Sequence, residues 1–583
     1  MKSYRLRARL HEELLQDLLL AREVVGEEAQ KHFLAPDFAQ DSGDPFLLPD
    51  MEKAVDRIIT AVKNNEKVCV WSDYDCDGIP GGVMLSQFLR TIGLEVRHYI
   101  PHRHKEGYGL NEEGLEELAG QGIKLVITID LGTTEVEHIA YANKKGIDVI
   151  VTDHHAVPKE EFSGQNGLAV RGTETRGPFV QEILPEGIFA QQLPPAFAVI
   201  NPKRLDSKYG FDGLCGAAVA WKLIQGVLEK NRFGIAEGQE KWFLDLVGIA
   251  TLSDMVPLVG ENRMLAHFGL RVLRRNRRPG LASLLSLLRI KPEALTEDDI
   301  GFMISPRINA ASRMDTPQTA ARLLATESVE EASALARELN HINDERKGIV
   351  AATVKDANRR LADMSIESSV IVMGNPNWRP GILGLVANSL MEAHHKPVFL
   401  WGREGADVIK GSCRSDGIVS VVDLMDVAGD VFEGFGGHAA SGGFSVLEER
   451  VHELGGRLTS AYEGLRAQAS PHKDIVLERE VDLAEVPLAG RALKKLAPFG
   501  VGNKKPLLLF PGVSIANIRT FGKTQNHLEI ALSKGSERIS GVSFFSTPDS
   551  FEKKFATGER ADIVGHIEND WRGRPRLRVV DIL

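Results

Sequence analysis

Three carboxylates on alternate residues, Asp73, Asp75 and Asp77, follow directly on the apolar, β-prone run Val68-Cys69-Val70-Trp71. Like charges this close repel one another unless a cation sits among them. Two further apolar runs end in the same way. Residues 124–129 lead into Asp130, and residues 147–152 lead into Asp153-His154-His155. Near-continuous β-branched runs separated by helical segments indicate a parallel sheet covered on both faces. Such sheets bind ligands beyond the carboxyl ends of their strands, where the strand order switches. If these strands are neighbours, the acidic and imidazole side chains converge on one crevice.

The rest of the chain divides around that unit. Residues 1–50 read as a helical segment, with Leu10, Leu14, Leu15, Leu18 and Leu19 forming an amphipathic stripe. The α/β unit spans 51–290 and carries a Gly- and Pro-rich loop insertion at 156–193. A helix over 241–253 must stop before Pro257, which leaves Asp254 at its end as a further candidate ligand. Residues 291–364 form a linker whose long helix starts near Ser328, since Ser328 and Glu331 have capping-box spacing. Charges on its outward faces suggest an exposed connector between two lobes. A second α/β unit covers 365–468, with strands at 369–373, 397–401 and 408–412, a helix at 382–393, and a Gly-rich turn at 434–443. From 469 to 583 short β runs alternate with turns, as in a small barrel.

Composition narrows the class. With 583 residues, 43% hydrophobic and 26% charged, the chain can bury several cores and is not disordered throughout. Its four cysteines are scattered without a CxxC pair, which argues against a zinc knuckle or disulfide scaffold and suits a reducing cytoplasm. Charges interrupt the N-terminus, and no later run is apolar for long enough to span a membrane. The net charge of −10 is unevenly spread: from Pro471 onward there are 18 Lys and Arg against 14 Asp and Glu. An acidic body with a basic module fits a metal-loaded core joined to a polyanion-binding domain, although a solvated surface would look similar.

Oxygen ligands with one or two imidazoles suit Mn²⁺ or Mg²⁺ rather than a thiolate metal. Two such ions about 3.5–4 Å apart can drive in-line displacement at phosphorus, so the substrate class indicated is a phosphodiester. Taken singly, Asp73-Tyr74-Asp75 could be an Asx-type turn and Asp153-His154-His155 a strand-end cap. Their ordered occurrence with Asp130 and Asp254 favours the metal reading.

These motifs resemble the DHH phosphoesterase superfamily: Asp73-Tyr74-Asp75-Cys76-Asp77-Gly78, Asp130, Asp153-His154-His155 and Asp254-Met255-Val256-Pro257 stand in its order. Gly436-Gly437-His438 resembles the signature of the DHH-associated domain. Pro306-Arg307-Ile308-Asn309-Ala310-Ala311, Trp378-Arg379-Pro380-Gly381-Ile382-Leu383-Gly384 and Pro498-Phe499-Gly500-Val501-Gly502-Asn503 narrow the likeness to the RecJ family. The resemblance runs from about residue 50 nearly to the end. It implies two α/β lobes joined by a long helix, with a C-terminal OB-fold. The implied activity is 5′→3′ exonucleolytic hydrolysis of single-stranded DNA to 5′-mononucleotides, in repair and recombination.

By the same likeness Asp73 and Asp75 would hold one metal, Asp77, His154 and Asp254 a second, and Asp130 would bridge them. His155 would face the scissile phosphate and Asp153 would orient the motif. Arg103, Ser412 and Arg414 match a pocket for the 5′-terminal phosphate, where planar guanidinium suits bidentate binding. Arg307, Asn309 and His438 would line the cleft, and Lys504, Lys505, Arg519 and Lys523 would meet the strand on the basic module. Implied partners are single-stranded DNA, a single-strand-binding protein and a RecQ-type helicase.

The chain departs from the family pattern in its longer insertion after Ala156 and in Cys76, Ser312 and Cys413, where the family often has Ala or Gly. The extra C-terminal domain of some relatives is expected to be absent. Two competing readings stay open: a DHH phosphodiesterase of short oligoribonucleotides or cyclic dinucleotides, and a catalytically dead strand-binding subunit. A complete acidic set argues against the second.

Overall fold

The structure, a computed structural model, describes residues 3–583 except 104, 162–179, 182–188, 315, 364–367, 404–408, 469–473, 523–524 and 571. The first lobe is built on five parallel strands in the order Glu95–Tyr99, Lys67–Ser72, Ile123–Ile129, Asp148–Thr152, Ala198–Ile200. From Lys67–Ser72 the chain first crosses to one edge and then returns to extend the other. Its carboxyl end and that of Ile123–Ile129 therefore flank the switch in strand order, where a crevice opens. Both strands are buried on both faces along most of their length, which explains their unbroken apolar character.

The helix after the three carboxylates spans Gly78–Thr91, and Asp77 is its N-cap residue. Pro80 is tolerated because first-turn N–H groups have no intrahelical partner to lose. The described parts of the 156–193 insertion are not simply loop. Lys159–Glu161, Val180–Gln181 and Phe189–Gln191 pair as a small antiparallel sheet.

The connecting helix covers Val329–Asp363, and Glu331 N–H donates to Ser328 Oγ at 3.2 Å. It is less exposed than its charges implied. Leu335 and Leu339 join the core of the first lobe, while Ala357 joins that of the second, with Ile349, Val350 and Val354 packed beside it. At 35 residues it reaches about 50 Å, so one rigid element is anchored in both lobes.

The second lobe has the strand order Ile371–Asn375, Val398–Gly402, Ile409–Arg414, Ser441–Val446, Gly434–His438. The expected Gly-rich turn is a hairpin. Gly436 faces Gly443 and Gly437 faces Gly442, so at these two positions the strands pair without side chains, between the Phe435–Phe444 and His438–Ser441 pairs. In the C-terminal region, pairing of Leu508–Phe521 with both His527–Lys534 and Arg560–Asn569 closes a barrel-like sheet, consistent with an OB-fold.

The first part of the N-terminal segment joins that barrel, whereas Phe38, Phe46 and Leu48 pack on the first lobe. Tyr4–Leu6 pairs in parallel with Ile475–Leu477, and helices follow at Leu14–Leu20, Glu27–Leu34 and Phe38–Asp41. Leu15, Leu18 and Leu19 share a core with Val486, Leu493 and Phe510, whereas Leu10 is exposed. The expected stripe breaks because the buried Asp17 carboxylate accepts the backbone N–H groups of Leu10 (2.7 Å) and His11 (3.1 Å) in a non-helical turn. Asp17 also pairs with Arg7 at 2.7 Å and Arg479 at 3.3 Å. Asp17→Ala should cost about 2–3 kcal/mol, since it strands two guanidiniums and two backbone donors. Urea unfolding measures the loss, and limited proteolysis should show residues 3–25 released first. Among the described residues no helix is long and apolar enough to cross a membrane.

Candidate metal centre and active site

Asp73, Asp77, Asp130, Asp153 and His154 are all buried at strand ends of the first lobe. Three sets of ligand atoms each lie within 4.8 Å of one another: Asp73, Asp75 and Asp130; Asp77, His154 and Asp254; and Asp130, His154 and His155. Asp130 belongs to two of them. His154 Nε2 lies 3.1 Å from Asp130 Oδ1, 3.6 Å from Asp254 Oδ2 and 3.8 Å from Asp77 Oδ2.

Local chain geometry holds each group. Asp75 Oδ1 accepts the N–H groups of Asp77 (2.8 Å) and Gly78 (3.0 Å), so the Asx-type turn weighed as an alternative is present and works within the cluster. Both oxygens of Asp77 accept from the start of the Gly216–Lys230 helix, from Gly216 N at 2.6 Å and Ala217 N at 2.8 Å. A helix N-terminus favours such an anion. Gly216 has no alternative here, because a Cβ would stand 2.6 Å from Asp130 Cβ. Asp130 itself has φ 62°, a left-handed conformation costly for most residues but tolerated by Asp and Asn. Tyr108 OH donates to its carbonyl at 3.0 Å.

Asp153 plays a different part. One oxygen accepts from Thr133 N (2.9 Å). The other accepts from His154 N (2.7 Å) and lies 2.8 Å from His155 Nδ1. Asn201 Nδ2 donates to Thr133 Oγ1 and to the His155 carbonyl, both at 2.9 Å, and braces the same loop. Burial would raise the Asp153 pKa, but His155 and Thr133 outweigh it and hold the carboxyl low. Burial also opposes charge on His155, yet Asp153 carries that imidazole up to about 9. Burial, with the charge of His155 added, drives His154 down to about 3, which leaves a neutral imidazole.

The remaining carboxyls show strain of another kind. Burial and then Asp75 raise Asp77 to about 7; burial and then Asp77 raise Asp254 to about 8. Asp73 and Asp130 are displaced well upward by burial and neighbouring carboxylates. Asp73 Oδ1, Asp130 Oδ1 and His154 Nδ1 are buried without a hydrogen-bond partner. Orphaned buried oxygens within a crowd of carboxylates fit divalent cations, and the O/N donor set matches Mn²⁺ or Mg²⁺.

Positive charge lies beside this cluster. Arg103 stacks 4.7 Å from the Tyr74 ring, and its charge reaches Asp73. Ser412 and Arg414 end the Ile409–Arg414 strand, and the Arg414 guanidinium lies against Gly384 of the Pro380–His394 helix. Sequence reasoning missed Arg313 and Arg346. Burial, then repulsion from Arg103, Arg346 and Arg414, pushes Arg313 down to about 9. Among the described residues none of these four guanidiniums has a carboxylate ion-pair partner, an arrangement that suits an anion. Each arginine was visible in the sequence, but the approach of Arg313 to Arg103, Arg346 and Arg414 was not.

Other expected residues are placed less directly. Arg307 is buried and donates to Asn340 Oδ1 (3.0 Å) and the Met303 carbonyl (2.6 Å). Asn309 Oδ1 is buried and unpartnered, and His438 is exposed at the end of the Gly434–His438 hairpin strand. Lys504 is exposed. Lys505 pairs with Asp298 at 2.6 Å and Arg519 with Glu529 at 2.5 Å. Lys523 lies outside the described residues.

Comparison with known proteins agrees with this construction. Residues 67–171 match the DHH family, N-terminal domain, 367–462 the DHHA1 domain and 480–581 the RecJ OB domain. Fold and site thus define a DHH-class protein carrying the associated domain and an OB module. The single-stranded-DNA-specific exonuclease RecJ of Bacillus subtilis (strain 168) is 30% identical over 577 residues, spanning 97% of this chain and 67% of that protein. Its Thermus thermophilus counterpart is 30% identical over 509 residues, spanning 85% and 67%. The crystal structure of the Thermus thermophilus RecJ in complex with Mn²⁺ superposes with a TM-score of 0.74 at 26% identity, covering 100% of this chain and 79% of that one. The chain belongs to the RecJ family.

Proposed function

We propose that this chain is a metal-dependent, single-strand-specific 5′→3′ exonuclease that releases 5′-mononucleotides in cytoplasmic DNA repair and recombination. The observation that carries the reading is the buried carboxylate–imidazole cluster at the strand ends, with orphaned oxygens and, beside it, guanidiniums that among the described residues have no carboxylate partner. Mn²⁺ and Mg²⁺ are named in the structures of Thermus thermophilus RecJ. Two such ions, when bound, supply Lewis acidity and an activated water at phosphorus.

Asp73 and Asp75 would hold one ion, Asp77, His154 and Asp254 the other, and Asp130 would serve both; this reading is supported by the grouping of Asp73, Asp75 and Asp130 and of Asp77, His154 and Asp254 within 4.8 Å, and by the 3.1 Å from Asp130 Oδ1 to His154 Nε2. His155, with Nδ1 engaged by Asp153, has Nε2 left to donate to the scissile phosphate. Asp153 orients that ring. Arg103, Ser412 and Arg414 would take the 5′-terminal phosphate, with Arg313 adding charge, so that an end rather than an internal phosphate registers over the ligands. Arg307, Asn309 and His438 would line the cleft. Lys504, Lys505, Arg519 and Lys523 would hold the trailing strand, Lys505 and Arg519 exchanging their carboxylates for phosphate. A single-strand-binding protein and a RecQ-type helicase are the partners such a nuclease would work with.

Single-stranded DNA labelled with ³²P at its 5′ phosphate tests the polarity. With Mn²⁺, labelled mononucleotide should appear first, without labelled intermediates. A labelled ladder shortening from the 3′ end would refute the proposed direction.

A further inference from the structure

We infer that residues 498–503 of the barrel form a latch that seats the Asp254 ligand, so the strand-holding module is physically part of the metal centre. This rests on the metal reading above, and concerns what positions a ligand rather than the ligands themselves. Asp254 caps the Leu244–Ser253 helix, and Met255 follows in a left-handed conformation with φ 61°. Five residues, 255–259, then bridge to the Gly260–Leu273 helix. Midway along this bridge the barrel takes hold: Leu258 N–H donates to the Val501 carbonyl at 2.7 Å. The Leu258 side chain is buried against Gly500, and a Cβ at position 500 would stand 2.8 Å from Leu258 Cδ1. Any larger residue at position 500 must therefore displace the Leu258 side chain or push the loop away from it.

The latch is stiff and firmly mounted. Gly500 and Asn503 exchange backbone hydrogen bonds of 2.9 and 3.2 Å. Asn503 Nδ2 donates to the Leu496 and Pro498 carbonyls at 2.8 Å, and its Oδ1 accepts from Arg22 Nε at 2.9 Å. The N-terminal segment is thereby tied into the same block. On the catalytic side, Arg263 donates to the carbonyls of Ala497 (3.1 Å) and Pro498 (3.3 Å). Phe499 N donates to Glu297 Oε1 at 3.1 Å, and Lys505 pairs with Asp298. Two rigid bodies thus meet at Leu258, four residues from a carboxylate that must stay near His154. The other ligand set, Asp73, Asp75 and Asp130, hangs from different strands. Prising the latch open should therefore weaken the Asp77–His154–Asp254 site and spare the other, because ligand position rather than ligand identity changes.

Mn²⁺ titration of the whole chain, followed by the electron paramagnetic resonance of free Mn²⁺, tests this alongside thermal melting. The parent should bind two ions and Asp254→Ala one. Gly500→Leu should retain both but hold one about tenfold more weakly, and excess Mn²⁺ should restore its kcat. Combined with Asp254→Ala, Gly500→Leu should leave the surviving site unchanged. Parent-like affinity at both sites in Gly500→Leu overturns the latch, as does a lowered melting temperature with unchanged Mn²⁺ binding. If Gly500→Leu does not fold, Gly500→Ala, which presses one methyl on Leu258 Cδ1, should give the same selective loss at severalfold size, and its absence overturns the latch. A parent that binds fewer than two ions, or an Asp254→Ala protein that keeps both, removes the metal assignment first and the latch with it.

Discussion

Asp130→Asn should lower kcat on single-stranded DNA about a thousandfold at saturating Mn²⁺ while strand binding and fold persist. The reason is positional: among the described residues Asp130 alone belongs to the Asp73–Asp75 set and also touches His154, so its charge would serve both halves of the proposed centre. Loss of a shared metal ligand removes several kcal/mol of charge stabilisation at phosphorus, and each 1.36 kcal/mol is about tenfold in rate. Asparagine is the informative replacement because it keeps the shape and tolerates the left-handed φ of 62°, where alanine would add backbone strain. Single-turnover hydrolysis and fluorescence anisotropy on the same oligonucleotide separate chemistry from binding. Activity within tenfold of the parent would exclude Asp130 as a shared ligand.

The second large effect is on stability. Asp77 and Asp254 have folded-state pKa values raised to about 7 and 8, against about 3.9 for an unfolded aspartate. Between those limits the metal-free folded protein binds more protons than the unfolded chain, so this contribution to stability falls as pH rises. It is fully present below about pH 4 and lost above about pH 8. Divalent cations ligate the ionised carboxylates and offset that loss, stabilising by about 4 kcal/mol at a thousandfold excess over Kd. The gain in melting temperature on replacing EDTA with excess Mn²⁺ should therefore be larger at pH 8 than at pH 6. Taking the difference isolates the cluster from Asp17 and Asp153, whose lowered pKa values act in the opposite sense. A gain independent of pH would mean that the cations bind elsewhere.

Much of the site could be read early because parallel strands advertise their carboxyl ends. Apolar runs buried on both faces must stop abruptly, and the polar residues at Asp73–Asp77, Asp130 and Asp153–His155 mark those stops. The connecting helix was equally legible from its length and Ser328 start. Its burial was not, since the apolar residues Leu335, Leu339 and Ala357 are too sparse to form a conspicuous stripe. The N-terminal helix was overextended because leucine spacing says nothing about Asp17, whose carboxylate captures Leu10 and His11 and stops the helix. Pairing of Gly436 and Gly437 with Gly443 and Gly442 likewise made a paired hairpin of the expected Gly-rich turn.

By itself the amino-acid sequence determined the α/β character of the lobes, the residues able to ligate a cation and the order in which they occur. These depend on local periodicity and on side-chain chemistry, which are properties of short segments. Only the tertiary structure decided how those residues divide into sets and that Asp130 is common to two of them. It also gathered Arg313 and Arg346 beside Arg103 and Arg414, and docked residues 498–503 onto Leu258. Such juxtapositions depend on strand order and on packing between segments hundreds of residues apart, and no local pattern encodes them.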